Sequence, residues 1–121
     1  MITFKEKTQS YYDSIRASDL CQCADCVNYY SQVAEAYPDL SAYLVSIGID
    51  IRKPLELSAL EPDEQGLITY SACQYVVFGD CEESFHEQIG EVKIRRAQDY
   101  PSTNIEEAHF VLELYPILLR R

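Results

Sequence analysis

Leu67-Ile68-Thr69-Tyr70-Ser71-Ala72-Cys73-Gln74-Tyr75-Val76-Val77-Phe78 is the stretch on which the fold turns. It is rich in β-branched and aromatic residues, which suit a pleated, half-buried surface, and it reads as the central strand of a sheet. Immediately upstream, Glu61-Pro62-Asp63-Glu64-Gln65-Gly66 is a turn by composition, and before it Leu55 and Leu57 suit a short strand. Downstream, Val92 and Ile94 alternate with Lys93 and Arg95, and Phe110, Leu112 and Leu114 alternate with Val111 and Glu113 in a last strand. Pro116 ends that strand or puts it at a sheet edge, since proline has no N–H to give to a ladder. Ser84 to Ile89 fits two descriptions, a helical turn capped by Asp80 or a strand continuing into Val92.

Before Gly48 the apolar period is helical. Phe4, Tyr11, Tyr12 and Ile15 predict a first amphipathic helix that ends before Ser18-Asp19. Val27, Tyr30, Ala34 and Tyr37 recur at helical spacing as far as Pro38, and Leu40, Tyr43, Leu44 and Ile47 continue the stripe to Gly48, a helix stop. Proline breaks an unbroken helix, so two helices are expected to meet at Tyr37-Pro38. Helices followed by hairpin-connected strands predict one α+β domain over residues 1–121. Its helical part, about 1–48, forms a layer on one face of a roughly four-stranded antiparallel sheet formed by about 49–121.

At 121 residues the chain can bury a single core without staples. Twenty acidic residues against ten basic ones give a formal charge of −10, which repels phosphate backbones and argues against nucleic acid as a partner. The same charge suits a basic partner protein or simply solubility. There is no apolar run long enough for a membrane span, and Met1-Ile2-Thr3-Phe4-Lys5-Glu6-Lys7 lacks the apolar core of a secretion signal, so a cytoplasmic location is expected. Five cysteines are an odd number, and a reducing cytosol keeps thiols free, so metal binding or catalysis gains over a disulfide framework.

Four segments carry a resemblance. They are Asp19-Leu20-Cys21-x-Cys23-x2-Cys26-x2-Tyr29-Tyr30, Leu60-Glu61-Pro62-Asp63-Glu64 with Gly66, Gln74-Tyr75-x-Val77-Phe78-Gly79, and Pro101 through Leu112 with His109 inside it. Together they resemble a family of small bacterial proteins with no assigned function. The resemblance implies a bacterial cytosolic protein and brings no activity or site residues with it.

The sharpest chemical signal is Cys21-Gln22-Cys23-Ala24-Asp25-Cys26, three thiols in six residues. Zinc takes four tetrahedral ligands, and Cys23 and Cys26, three apart at a helix start, can grip one ion with Cys21 as a third ligand. Cys73, Cys81, His86 and His109 are the candidates for the fourth position. Cys23-Ala24-Asp25-Cys26 is also a C-x-x-C redox spacing, with a helix N-terminus to favour the thiolate. The strand expected before such a motif is missing, however, and Asp19 and Asp25 oppose the thiolate. Small residues packed at a helix junction are the third reading.

Other signals are weaker. His86 in His-Glu-Gln-Ile-Gly lacks a second histidine at i+4, so it is not a zinc-protease motif, and His109 suits a sheet face better than a general base. No phosphate-binding glycine loop and no G-x-S-x-G elbow is present. Ten tyrosines stand against no tryptophan, and adjacent pairs such as Tyr29-Tyr30 cannot both enter one core stripe. One of each pair is expected at the surface, where an amphipathic ring favours a protein contact. The combined expectation is a non-enzymatic, acidic, cytosolic interaction module, with Tyr29 and Tyr30 in a contact to a basic protein or to a second copy and zinc at Cys21, Cys23 and Cys26. A thiol redox or metal-dependent activity of that cluster is the alternative.

Overall fold

A strand of 14 residues, Leu67–Asp80, presents more backbone N–H and C=O groups than any one neighbour can pair, and four other strands share them. The computed structural model describes residues 1–121. Its elements in chain order are β1 (Ile2–Thr3), α1 (Lys5–Ser14), a 3-10 turn (Ala17–Asp19), α2 (Ala24–Ala36), α3 (Pro38–Ser46), β2 (Glu56–Ala59), β3 (Leu67–Asp80), β4 (His86–Ile89), β5 (Val92–Arg96), β6 (His109–Tyr115) and β7 (Ile117–Arg120). Every pairing is antiparallel. One edge of β3 pairs with β6 over Cys73–Phe78 and with β7 over Leu67–Tyr70; the other pairs with β2 and, at the far end, with β1. The sheet runs on through β5 to β4 and curls into a half-barrel.

The architecture is mixed helix and antiparallel sheet, but the sheet has seven strands where about four were expected. Each extra strand has a local cause. β4 forms because Gly90, at φ +59, opens a two-residue turn that returns the chain from Ile89 to Val92. Glycine in the first central position, with Glu91 at ordinary φ, meets the demand of a tight hairpin. Pro116 ends β6 as expected, yet the chain resumes beside β3 as β7. At the other end Ile2 and Thr3 pair with Asp80 and Gly79, and only glycine fits there: a Cβ on Gly79 would stand 2.0 Å from the Ile2 carbonyl oxygen.

The ends of α2 and α3 follow their sequence signals closely, whereas the expected stripe of α1 does not hold: Phe4 is 53% exposed, and Thr8 and Tyr12 are the buried residues. α2 ends at Ala36 and α3 begins on Pro38, whose missing N–H is one the first turn leaves unpaired anyway. At the end of α3 the Gly48 N–H donates to the Val45 carbonyl at 3.0 Å and the Ile49 N–H to the Leu44 carbonyl at 2.9 Å. This is a Schellman closure, with Gly48 at φ +91.

The helices bury Tyr12, Tyr29, Val33, Leu40 and Leu44 in one cluster with Tyr70, Cys73, Tyr75, Val77, Phe110, Leu112 and Leu114. On α2 the buried face is rotated from the expected stripe: Val27 is 44% exposed, whereas Tyr29 is fully enclosed. The rotation is set by the β7 edge. Asn28 and Gln32 donate to the Arg120 carbonyl at 3.0 and 2.7 Å, and the Tyr37 hydroxyl accepts the Leu118 N–H at 2.9 Å. With those side chains committed to β7, Tyr29 and Val33 must face the core.

α1 meets the outer edge of β3 in the same manner. Between β2 and β1 that edge has no strand partner over Tyr75–Phe78. The Tyr12 hydroxyl donates to the Val76 carbonyl at 2.8 Å, Thr8 Oγ1 accepts the Phe78 N–H at 3.0 Å, and the Phe4 N–H donates to the Phe78 carbonyl at 3.0 Å. Inside the core, Tyr75 donates to the Ile51 carbonyl at 2.7 Å, so the Tyr29 hydroxyl that touches Tyr75 is the donor in that pair.

Two outcomes follow for stability. Tyr12→Phe leaves the Val76 carbonyl without its donor and is expected to cost about 1–3 kcal/mol, read by urea denaturation, while Val27→Ala on the exposed flank stays within about 0.5 kcal/mol. Burial raises the pKa of Tyr12, Tyr29 and Tyr75 well above the ordinary value. The folded state therefore keeps three protons that the unfolded chain loses near pH 10, so this stabilisation is complete below about pH 10 and falls as pH rises. In an alkaline titration the phenolate absorbance of these three tyrosines should appear together with loss of near-UV circular dichroism; their ionisation within an intact fold would refute the assignment.

Candidate metal centre

The cysteine cluster is assembled by a short link between two capped segments. Asp19 Oδ2 accepts the Arg16 N–H at 2.8 Å and closes the 3-10 turn. Gln22 then reaches back, donating through Nε2 to the carbonyls of Ala17 at 3.0 Å and Leu20 at 2.9 Å. This folds Cys21 over the start of α2, where Cys23 is the cap residue and its carbonyl accepts the Val27 N–H at 3.0 Å. Cys26 lies on the first turn behind it.

The three Sγ atoms lie within 4.8 Å of one another, with Cys21 and Cys23 exposed and Cys26 half-buried. Zinc with sulfurs at about 2.3 Å spaces them roughly 3.8 Å apart, so a movement of about 1 Å closes the set around an ion. Tyr30 forms one wall: its hydroxyl donates to the Cys21 carbonyl at 3.1 Å, and its pKa is raised by burial first and by the neighbouring Cys26 next. Tyr70 braces the same turn by donating to the Asp25 carbonyl at 2.6 Å.

The thiols differ in acidity. Cys23 is lowered, chiefly because the Cys26 backbone N–H points at its sulfur, with the other two thiols adding hydrogen bonds. Cys26 is pushed up to about 12, by burial first and then by its cysteine neighbours. One exposed, acidic thiol thus stands in front of one sheltered, reluctant thiol.

None of the residues considered for a fourth ligand joins the group. Cys73 is fully buried in the core, its pKa raised to about 12 by burial. Cys81 follows β3 at the far end, its thiol donating to the Glu82 carbonyl at 3.4 Å. His86 lies on β4 beside a cavity of about 370 Å³ whose lining residues are all of polar type, Arg95, Arg96 and Glu113 among them. His109 is committed to Thr103 Oγ1 at 2.8 Å and to the Glu107 carbonyl at 2.7 Å. The paired tyrosines also separate. Tyr29 belongs to the core and offers no surface, because the α2 rotation turns it inward, so only half-buried Tyr30 of that pair is left for a contact.

A second polar feature has no signature in the sequence. Gln74, Glu113 and Arg95 stand opposite one another on β3, β6 and β5, on the sheet face away from the main core. Gln74 donates to Glu113 Oε1 at 3.0 Å and Arg95 Nε donates to Glu113 Oε2 at 2.8 Å. The only available signal was a polar residue at matching positions of three strands, visible once the register is known.

Comparison of the chain with protein families, with curated proteins and with solved structures finds no match. The chemistry of the site therefore rests on its own residues. Brief alkylation of the reduced native protein with iodoacetamide, mapped by mass spectrometry, should label Cys23 before Cys26 and leave Cys73 unmodified until denaturant is added. Equal labelling of Cys73 and Cys23 in the native state would contradict this placement.

Proposed function

We propose that this chain is a small acidic, non-enzymatic interaction module organised around a zinc ion held by Cys21, Cys23 and Cys26. The convergence of three Sγ atoms within 4.8 Å carries the reading. Thiols that merely fill space sit enclosed, as Cys73 and Cys81 do at 0% and 4% exposure, whereas two of these three face solvent. Thiolate ligands suit zinc, and the α2 N-terminus offsets part of their negative charge. The half-buried ring of Tyr30 and the formal charge of −10 suit a contact with a basic protein, and the free thiols suit a reducing cytosol such as that of the bacterial family the sequence resembles.

One observation favours a second reading. An exposed Cys23 with lowered pKa three residues before a sheltered Cys26 is an arrangement in which the first thiolate attacks and the second resolves a disulfide.

Elemental analysis of protein purified under reducing conditions separates the two. The zinc reading expects one ion per chain, abolished by C23S/C26S. A single Cys21→Ser replacement leaves two of the chain's three ligands and should weaken zinc on the order of 100-fold, each thiolate carrying roughly 3 kcal/mol. A metal-free protein that cycles between thiol and disulfide with a defined potential would favour the redox reading, and full zinc occupancy in the double variant would remove the assignment.

A further inference from the structure

Zinc completes four bonds, and this chain assembles three. No other Cys, His, Asp or Glu atom joins Cys21, Cys23 and Cys26 within their 4.8 Å group. Cys73 and Cys81 are buried elsewhere, and both ring nitrogens of His109 are engaged. Structural zinc sites are closed by a fourth protein ligand, whereas sites that keep three take a solvent or incoming ligand in the fourth position.

Burial decides from which side a fourth ligand could approach. Cys26 is half-buried on the α2 side with Tyr30 beside it, while Cys21 and Cys23 are exposed. An ion held by these three sulfurs would be sheltered on the Cys26 side and open to solvent on the Cys21 and Cys23 side, within reach of a side chain on another molecule.

Charge then selects the donor. Three thiolates on a divalent ion leave a charge of about −1 at the site. Asp19 and Asp25 lie two residues before Cys21 and one before Cys26, in a chain of formal charge −10. A fourth thiolate or a carboxylate would add negative charge to an already negative surface; a neutral imidazole adds none.

Resting on the zinc reading above, we propose that the fourth coordination position opens to solvent and takes the imidazole of a histidine presented by a basic partner protein. The site is then a metal-dependent docking point. Each copy repels another of the same charge, so self-association through the exposed His86 is disfavoured.

Cobalt(II) in place of zinc reports the coordination directly in the full-length protein. The isolated Co(II) protein should show thiolate charge-transfer bands of a three-sulfur site and remain a monomer in sedimentation. Imidazole should shift its ligand-field bands saturably, and more tightly than acetate or 2-mercaptoethanol. The peptide Lys-Lys-His-Lys-Lys should bind about tenfold tighter than imidazole at low salt, while Lys-Lys-Ala-Lys-Lys should leave the spectrum unchanged. A four-sulfur spectrum in the isolated protein, a metal-dependent dimer, no response to imidazole, or tighter binding of acetate or thiol would each overturn the proposal while leaving metal binding intact. Failure to take up Co(II) or zinc at all would remove the zinc reading together with it.

Discussion

The backbone groups that β3 and β7 leave unpaired along their free edges are met by side chains of the helical half, and the rest of the molecule is arranged around that constraint. A buried N–H or C=O without a partner costs on the order of 1–3 kcal/mol, and an open strand edge also invites pairing with other chains. β3 is longer than its flanking strands, so Thr8 and Tyr12 of α1 take the groups that β1 and β2 leave free. Asn28, Gln32 and Tyr37 do the same for β7. Hydrophobic contact alone would let a helix slide or roll, whereas these directional bonds fix both its register and its rotation.

The placement of the thiols is a consequence. With α2 pinned to β7 by Asn28 and Gln32, Cys26 turns half inward and Cys23 caps the helix at the surface. Tyr70 fixes the first turn from below through the Asp25 carbonyl, and Gln22 folds the approach so that Cys21 arrives from the other side. The tyrosines divide along the same lines. Tyr12, Tyr29 and Tyr75 spend their hydroxyls on buried oxygens, which lets large rings fill a core without leaving a polar atom unpaired. Tyr30 and Tyr37 reach the surface and brace the cluster and the β7 edge.

Much of this was legible in the sequence, and the exceptions have physical reasons. Pro38 and Gly48 marked the helix ends correctly because their signals are local: one has no N–H, the other tolerates φ +91. Val92 and Ile94 alternated as the strand they form. The length of the sheet was hidden, because β1, β4 and β7 have only two to four residues each and gain their stability from a neighbouring strand and not from their own pattern. The inward face of β3 also slips, from Ile68 and Tyr70 to Cys73, Tyr75 and Val77, where the pairing with β2 skips Ser71. Such a bulge breaks the period of two with no residue type that announces it. At the cluster, spacing revealed the three thiols but not which side of α2 faces the core. The inward turn of Tyr29 depends on an amide contact to Arg120, some ninety residues away in sequence.

Amide hydrogen exchange at Phe78 and Leu118 tests the edge-closing account most directly, because each donates its N–H to a side-chain hydroxyl of the helical half, Thr8 of α1 or Tyr37 at the α2–α3 junction, and not to a strand. Both amides should exchange as slowly as those of Tyr75 and Val77 in the ladder with β6, and Thr8→Ala and Tyr37→Phe should each release only the amide it serves. Exchange of Phe78 and Leu118 in the native protein at the rate of exposed loop amides would show that the helices do not close the sheet, and would contradict the account of how the thiols are held.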